Sequence, residues 1–276
     1  MFPEFFYIII LVLTGMGVGF TTGLLGVGGG FIIVPILFFL LEAMGVESTL
    51  AIRMALATSL AVIIPTATSS AYGHHRKHKL MFKAIIYLGV SGFSGGIIGA
   101  YIATHTPGYF LEIIFALVLL SVAMRMLLFK EPDKRNKIVE NIPQFILWGF
   151  IAGIMSGLVG IGGGVILIPI MVLLMGFSMD EASGNSSAII AIISLGGLFS
   201  FILNGLNVSG LPIYSLGYVN LLEFIILTLI SIPMAQVGSW TSHKLPEKLL
   251  RYIFVVLLVY ISLNMLGVFQ WLLSHI

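Results

Sequence analysis

Residues 19–37 read GFTTGLLGVGGGFIIVPIL, and residues 153–171 read GIMSGLVGIGGGVILIPIM. Ten of these nineteen positions are identical, without a gap, at an offset of 134. Helical periodicity by itself does not reproduce Gly-x-Gly-Gly-Gly with a proline five residues on, so the stretch marks an internal duplication. The ends of the two halves agree as well. Pro107 opens PGYFLEIIFALVLLSVAMRML and Pro246 opens PEKLLRYIFVVLLVYISLNML, each with Leu four residues later and Ile-Phe at seven and eight. The most charged break, KEPDKRNKIVE at 130–140, falls almost midway along the chain. The sequence therefore divides into a first repeat at 1–129, a linker at 130–142 and a second repeat at 143–276.

What surrounds the duplicated stretch is lipid-soluble. Of 276 residues, 59% are hydrophobic and only 9% are charged, against about a quarter charged in ordinary soluble domains. Mean hydropathy is +1.13. A soluble enzyme is excluded as the leading class, and so is a nucleic-acid binder, which needs a basic face. Apolar stretches fall near 5–22, 30–42, 49–72, 84–104 and 107–129, then near 143–157, 164–177, 182–203, 215–240 and 247–272. A membrane helix needs about 20 such residues. The expected fold is an all-α polytopic membrane protein with eight to ten membrane segments. No Lys or Arg precedes the first apolar run, so that run reads as a retained span rather than a cleaved signal. Cysteine is absent, which removes disulfides and thiolate metal sites.

Lys and Arg in short loops set orientation. The loop at 73–83 holds Arg76, Lys77, Lys79 and Lys83, the linker holds Lys130, Lys134, Arg135 and Lys137, and 243–251 holds Lys244, Lys248 and Arg251. All three are expected in the cytoplasm, whereas 104–107 and 204–214 carry no Lys or Arg and are expected outside. The pattern is satisfied when the second repeat is inverted relative to the first, with both termini extracytoplasmic. Inverted-topology repeats are a transporter architecture whose site lies near the midplane, where the repeats meet. The expected location is the cytoplasmic (inner) membrane.

The glycines suggest how such a site works. Three consecutive glycines each cost a helix interior about 1 kcal/mol relative to Ala, and broken backbone at membrane depth is tolerated only against protein or water. Each motif therefore reads as the tip of a re-entrant hairpin or broken helix pair. Without Cβ atoms, successive N–H groups at Gly28, Gly29 and Gly30, and at Gly162, Gly163 and Gly164, converge into an anion-binding nest. The helices starting at Gly30 and Gly164 add their positive ends. Close helix packing through small residues is the alternative use of the same glycines. No Gly-Lys-Ser/Thr accompanies them, so nucleotide hydrolysis has no support. No HExxH motif or paired catalytic carboxylates point to an enzyme.

The two Gly-x-Gly-Gly-Gly-x4-Pro motifs, Leu216-Gly217-Tyr218-Val219-Asn220 ahead of an apolar span, and Leu-Pro-x-x-x-Leu-x-x-Ile-Phe at 245–254 together resemble the TauE/SafE sulfite exporter family, also called the four-toluene-sulfonate uptake permeases. The resemblance covers essentially the whole chain. It implies secondary transport, with export favoured, of sulfite, sulfonates or related small organosulfur anions across the cytoplasmic membrane, without ATP hydrolysis and without a cofactor. The expected partners are that oxyanion, the lipid bilayer, a coupling proton and, in an assembly, further copies of the chain; nucleic acid is not among them. A passive anion channel using the same glycine-lined site is the competing expectation.

Side chains complete the candidate set. Thr58 and Ser59 in the first half, and Asn185, Ser186 and Ser187 in the second, stand some twenty residues beyond each motif proline. Thr21, Thr22 and Ser156 precede the tips. Such hydroxyls and amides either contact an oxyanion or satisfy their own helix. Arg53 lies about one turn into its segment, where it contacts substrate or snorkels and draws anions to a vestibule. Glu223, the ninth residue of the segment starting at 215, is a proton-coupling candidate, or else an interfacial carboxylate facing water. Gln236 is a candidate polar contact between the repeats. Glu112 and Arg125 read as snorkelling residues near helix ends. His74, His75 and His78 share the basic loop and read as part of a cytoplasmic anchor, not a metal site.

Overall fold

In the computed structural model the described residues are 4–76, 80–128, 141–241 and 255–266, with 257 and 261 excepted. The chain builds helices α1 (Glu4–Leu25), α2 (Gly30–Ala43), α3 (Ser48–His75), α4 (Phe82–His105), α5 (Gly108–Leu128), α6 (Ile142–Val159), α7 (Gly164–Leu173) and α8 (Met179–Gly205). A short hairpin, β1 (Ser215–Leu216) and β2 (Val219–Asn220), precedes α9 (Leu221–Thr241). Six of these helices are long and apolar enough to cross a membrane. Large apolar side chains stand outward on several of them, among them Leu229, Phe82 and Val90. This is an all-α polytopic membrane protein.

Lipid offers no hydrophobic drive for helix association, so close approach through small residues has to supply it. Two such seams organise the molecule. Gly15, Gly19 and Gly23 of α1 lie in turn against Ile230, Ser231 and Ala235 of α9. Gly149, Gly153 and Gly157 of α6 lie in turn against Leu88, Gly92 and Gly96 of α4. In both seams residue numbers rise together, so α1 runs parallel to α9 and α6 parallel to α4. The first helix on each side of the linker is thus paired with the fourth helix on the other side.

The long helices α3 and α8 occupy the centre. Thr66 and Ser231 are joined at 2.6 Å and Gln236 donates to Ser69 O at 2.8 Å, which places α3 along α1 and α9. Gly89 and Gly92 of α4 meet Ile192 and Ile193, which places α8 along α4 and α6. His74 at the end of α3 meets Ser183 of α8 at 3.5 Å, and Ser70, one turn earlier on α3, meets Ser187, one turn later on α8, so these two central helices run in opposite directions. The triplet α1–α3–α9 therefore runs opposite to the triplet α4–α6–α8. The two meet where Ser70 of α3 bonds Ser187 of α8 at 3.0 Å.

Several boundaries differ from the apolar runs. The run from 215 does not begin as a helix: Gly217 (φ 57°) and Tyr214 (φ 68°) take left-handed backbone that turns the chain into the hairpin, and the Asn220 side chain caps α9 by accepting from Leu222 and Glu223 N–H. Helix α6, expected at 143–157 and short for a span, extends over 18 residues. The linker at 130–140 and the basic segment 243–251 lie outside the described residues.

Candidate functional site

Each duplicated motif forms a break between two helices. Helix α1 stops where Gly26 adopts φ 67°, and Gly28 (φ 93°) and Gly29 (φ 71°) carry the chain into α2. Helix α6 stops in the same way at Gly160 (φ 68°), and Gly162 (φ 81°) and Gly163 (φ 78°) lead into α7. A residue with a Cβ is disfavoured by about 1–2 kcal/mol in this conformation. Both new helices start at a glycine N-cap with no side-chain cap bond, so their positive ends lack the usual Ser, Thr or Asp oxygen.

The two tips touch. A Cβ on Gly30 would lie 2.6 Å from Gly160 O, and one on Gly164 would lie 2.6 Å from Val27 O. Ile63 of α3 and Ile190 of α8 close over both, each standing near Gly28 and Gly162. The tips are therefore in direct contact with each other at Gly30 and Gly164 in this conformation.

The hydroxyls divide into two groups. Ser59 donates to Gly160 O at 2.8 Å, and Ser186 donates to Gly26 O at 3.0 Å, so each half satisfies the last carbonyl before the other half's break. Thr58 accepts from Asn220 N–H at 3.0 Å. Asn185 accepts from Met81 N–H and donates to Glu181 O, and Ser187 donates to Ser183 O. Thr21 bonds its own helix at Gly17 O. Thr22 and Ser156 are different. They occupy matching places one turn before each tip, both are buried, and neither hydroxyl has a hydrogen-bond partner among the described residues. Thr22 Oγ1 faces Gly29 and the Ser156 side chain faces Gly163, the two uncapped helix starts.

Arg53 does not project into open space. It donates to Thr106 O at 3.0 Å and Tyr218 Oη at 3.4 Å, while its Nε is buried without a partner among the described residues. Because α9 starts at 221, the Glu223 carboxyl sits in the first turn, and it is fully buried instead of facing water. Gln236 ties α9 to α3 through Ser69. Glu112, near the start of α5, accepts from Ser48. His74 is not part of a solvated loop: it is buried at the end of α3 and donates to Gly23 O at 3.0 Å. His75 is exposed. His78 and the Arg125 side chain lie outside the described residues.

A profile of the family described as sulfite exporter TauE/SafE matches residues 11–265. The chain belongs to the TauE/SafE family. It is 31% identical over 262 residues to a Haemophilus influenzae protein named "Probable membrane transporter protein", covering 95% of this chain and 98% of that relative. A Methanocaldococcus jannaschii protein, also named as a probable membrane transporter, is 31% identical over 262 residues, covering 93% and 94%. A Bacillus subtilis protein named in the same way is 25% identical over 274 residues, covering 93% and 98%. No solved structure matches the chain. It is a multi-pass membrane transporter.

Within this TauE/SafE chain the motifs alone do not single out every residue around the tips. Ile63 and Ile190 lie five residues beyond Thr58 and Asn185 respectively, a register visible once the polar clusters are aligned. Tyr7, whose hydroxyl donates to Glu223 Oε1 at 2.8 Å, has no signal in its apolar surroundings. The bond exists only because α1 and α9, far apart in sequence, pack together.

Proposed function

We propose that this protein is a secondary transporter, working as an exporter, of sulfite, sulfonates or related small organosulfur anions, built as two inverted repeats (1–129 and 143–276) in the cytoplasmic membrane with both termini outside. The observation that carries the site is the doubled arrangement of a helix start without a side-chain cap beside a buried hydroxyl that has no hydrogen-bond partner among the described residues: Gly28–Gly30 with Thr22, and Gly162–Gly164 with Ser156. Backbone N–H groups and a helix N-terminus favour an oxyanion without a formal positive charge. Ser59, Ser186, Ser187, Thr58 and Asn185 hold the frame around the tips, and Arg53 draws anions toward its own end of α3. The opposed helix triplets support the inverted arrangement, and the family's name supports the substrate class.

Contact between the tips supports a carrier over an open pore, because an anion reaches the midplane only when the tips separate. Alternating access then exposes the site to one side at a time. Sulfite movement into liposomes holding the purified protein tests this reading. We expect saturable uptake accelerated by sulfite on the opposite side. Failure to move sulfite and several sulfonates would overturn the substrate class, and single-channel currents without exchange would overturn the carrier mechanism.

A further inference from the structure

The α1–α9 seam contains a buried acid that packing does not require. Glu223 is 0% exposed, and Tyr7 of α1 donates to its Oε1 at 2.8 Å. Its Oε2 is buried with no hydrogen-bond partner among the described residues. The α4–α6 seam provides an internal comparison. Gly19 faces Ser231 on α9, and its repeat-mate Gly153 faces Gly92 on α4. Eight residues before Ser231 is Glu223, and eight residues before Gly92 is Ala84, which is equally buried. An alanine therefore fills the corresponding place in the other triplet. A buried carboxyl with one of its two oxygens unpaired is a costly choice where a methyl group serves.

We propose that Glu223 is the proton-binding site of the transport cycle and that Tyr7 is its positioning residue. This deepens the transporter reading and rests on it for the coupling, though not for the proton site itself. In the cycle, Oε2 takes a proton from water on the side to which the seam is open and returns it to water on the other side; no other bond is made or broken. Carboxylate and acid make different demands at Oε2, the first seeking donors and the second offering one. Exchange of the proton is therefore linked to whether water enters between α1 and α9. Tyr7 and Thr22 lie on one helix, about 22 Å apart at 1.5 Å per residue, so a shift of α1 at the Tyr7–Glu223 bond is carried to the glycine tip. Among the described residues, the other titratable or charged groups on elements around this turn are Arg53 on α3, which stands 6.0 Å from the Tyr218 ring, Glu47 at the start of α3, Tyr214 and Tyr218 by the hairpin, and Glu4, one turn before Tyr7 on α1.

Two measurements on the full chain decide it. The first is infrared difference spectroscopy of the wild type in nanodiscs across a pH titration. A carboxylic C=O band that titrates in the wild type and vanishes in Glu223→Gln supports the site, and a titration identical in both overturns it. The second uses proteoliposomes loaded with sulfite. Glu223→Gln is expected to keep sulfite exchange at equal pH while pH-gradient-driven accumulation falls by about tenfold or more, within the usual range of a coupling free energy. Tyr7→Phe is expected to retain accumulation with a displaced pH profile. Accumulation by Glu223→Gln equal to wild type would overturn the proposal with transport itself intact. Wild-type protein that moves no sulfite would overturn the substrate reading, and the infrared titration would still decide the proton site.

Discussion

Thr22 and Ser59 are both buried hydroxyls close to a glycine tip, yet the physics assigns them opposite roles. Ser59 satisfies Gly160 O, and its removal leaves a buried carbonyl unpaired at about 1–3 kcal/mol. Thr22 and Ser156 hydroxyls satisfy nothing among the described residues. Thr22→Val and Ser156→Ala should therefore leave thermal stability in detergent unchanged or slightly raised, while sulfite exchange falls sharply. Ser59→Ala should lower the melting temperature. Equal melting losses in all three would make Thr22 and Ser156 packing residues after all. Sequence placed both kinds of hydroxyl near the tips and could not separate them, because the acceptor of Ser59 lies in the other half of the chain.

Among the helices, the same ambiguity attaches to glycine, and it resolves position by position. Gly19, Gly23, Gly153 and Gly157 are packing glycines: a Cβ on Gly153 would run into Gly92 O, and one on Gly157 into Gly96 O. Backbone atoms do not give way as a flexible side chain does. Gly153→Ala should cost about 1–3 kcal/mol by overpacking, and Gly153→Leu should part α6 from α4. A Cβ added to Gly17 of α1 would meet nothing within 4 Å, so Gly17→Ala should be neutral or stabilising by up to about 1 kcal/mol. Melting curves of these variants check the contrast, and equal losses at Gly17 and Gly153 would show that the seams are not what holds the helices together. Gly26, Gly28 and Gly29, and likewise Gly160, Gly162 and Gly163, are distinguished by left-handed backbone, which residue identity does not reveal.

For the molecule as a whole, the opposed triplets and the basic loops make one statement about orientation. The absence of cysteine makes it simple to test with single introduced thiols. Ser209→Cys, on the exposed connection after α8, should react with a membrane-impermeant maleimide added to intact cells. His75→Cys, at the exposed end of α3, should react only after the cells are opened. The reverse pattern would invert the assignment. By itself the sequence determined that the chain lives in lipid, that its glycine motif occurs twice, and where the helices break, because charge poverty, repeated residues and consecutive glycines are properties of the string. Only the tertiary structure decided that each half's first helix seats against the other half's α4 or α9, that the tips meet with Ile63 and Ile190 closed over them, and that Glu223 is buried against Tyr7. Those contacts join residues distant in sequence, and which partner a glycine face or a buried oxygen finds is fixed by packing in three dimensions.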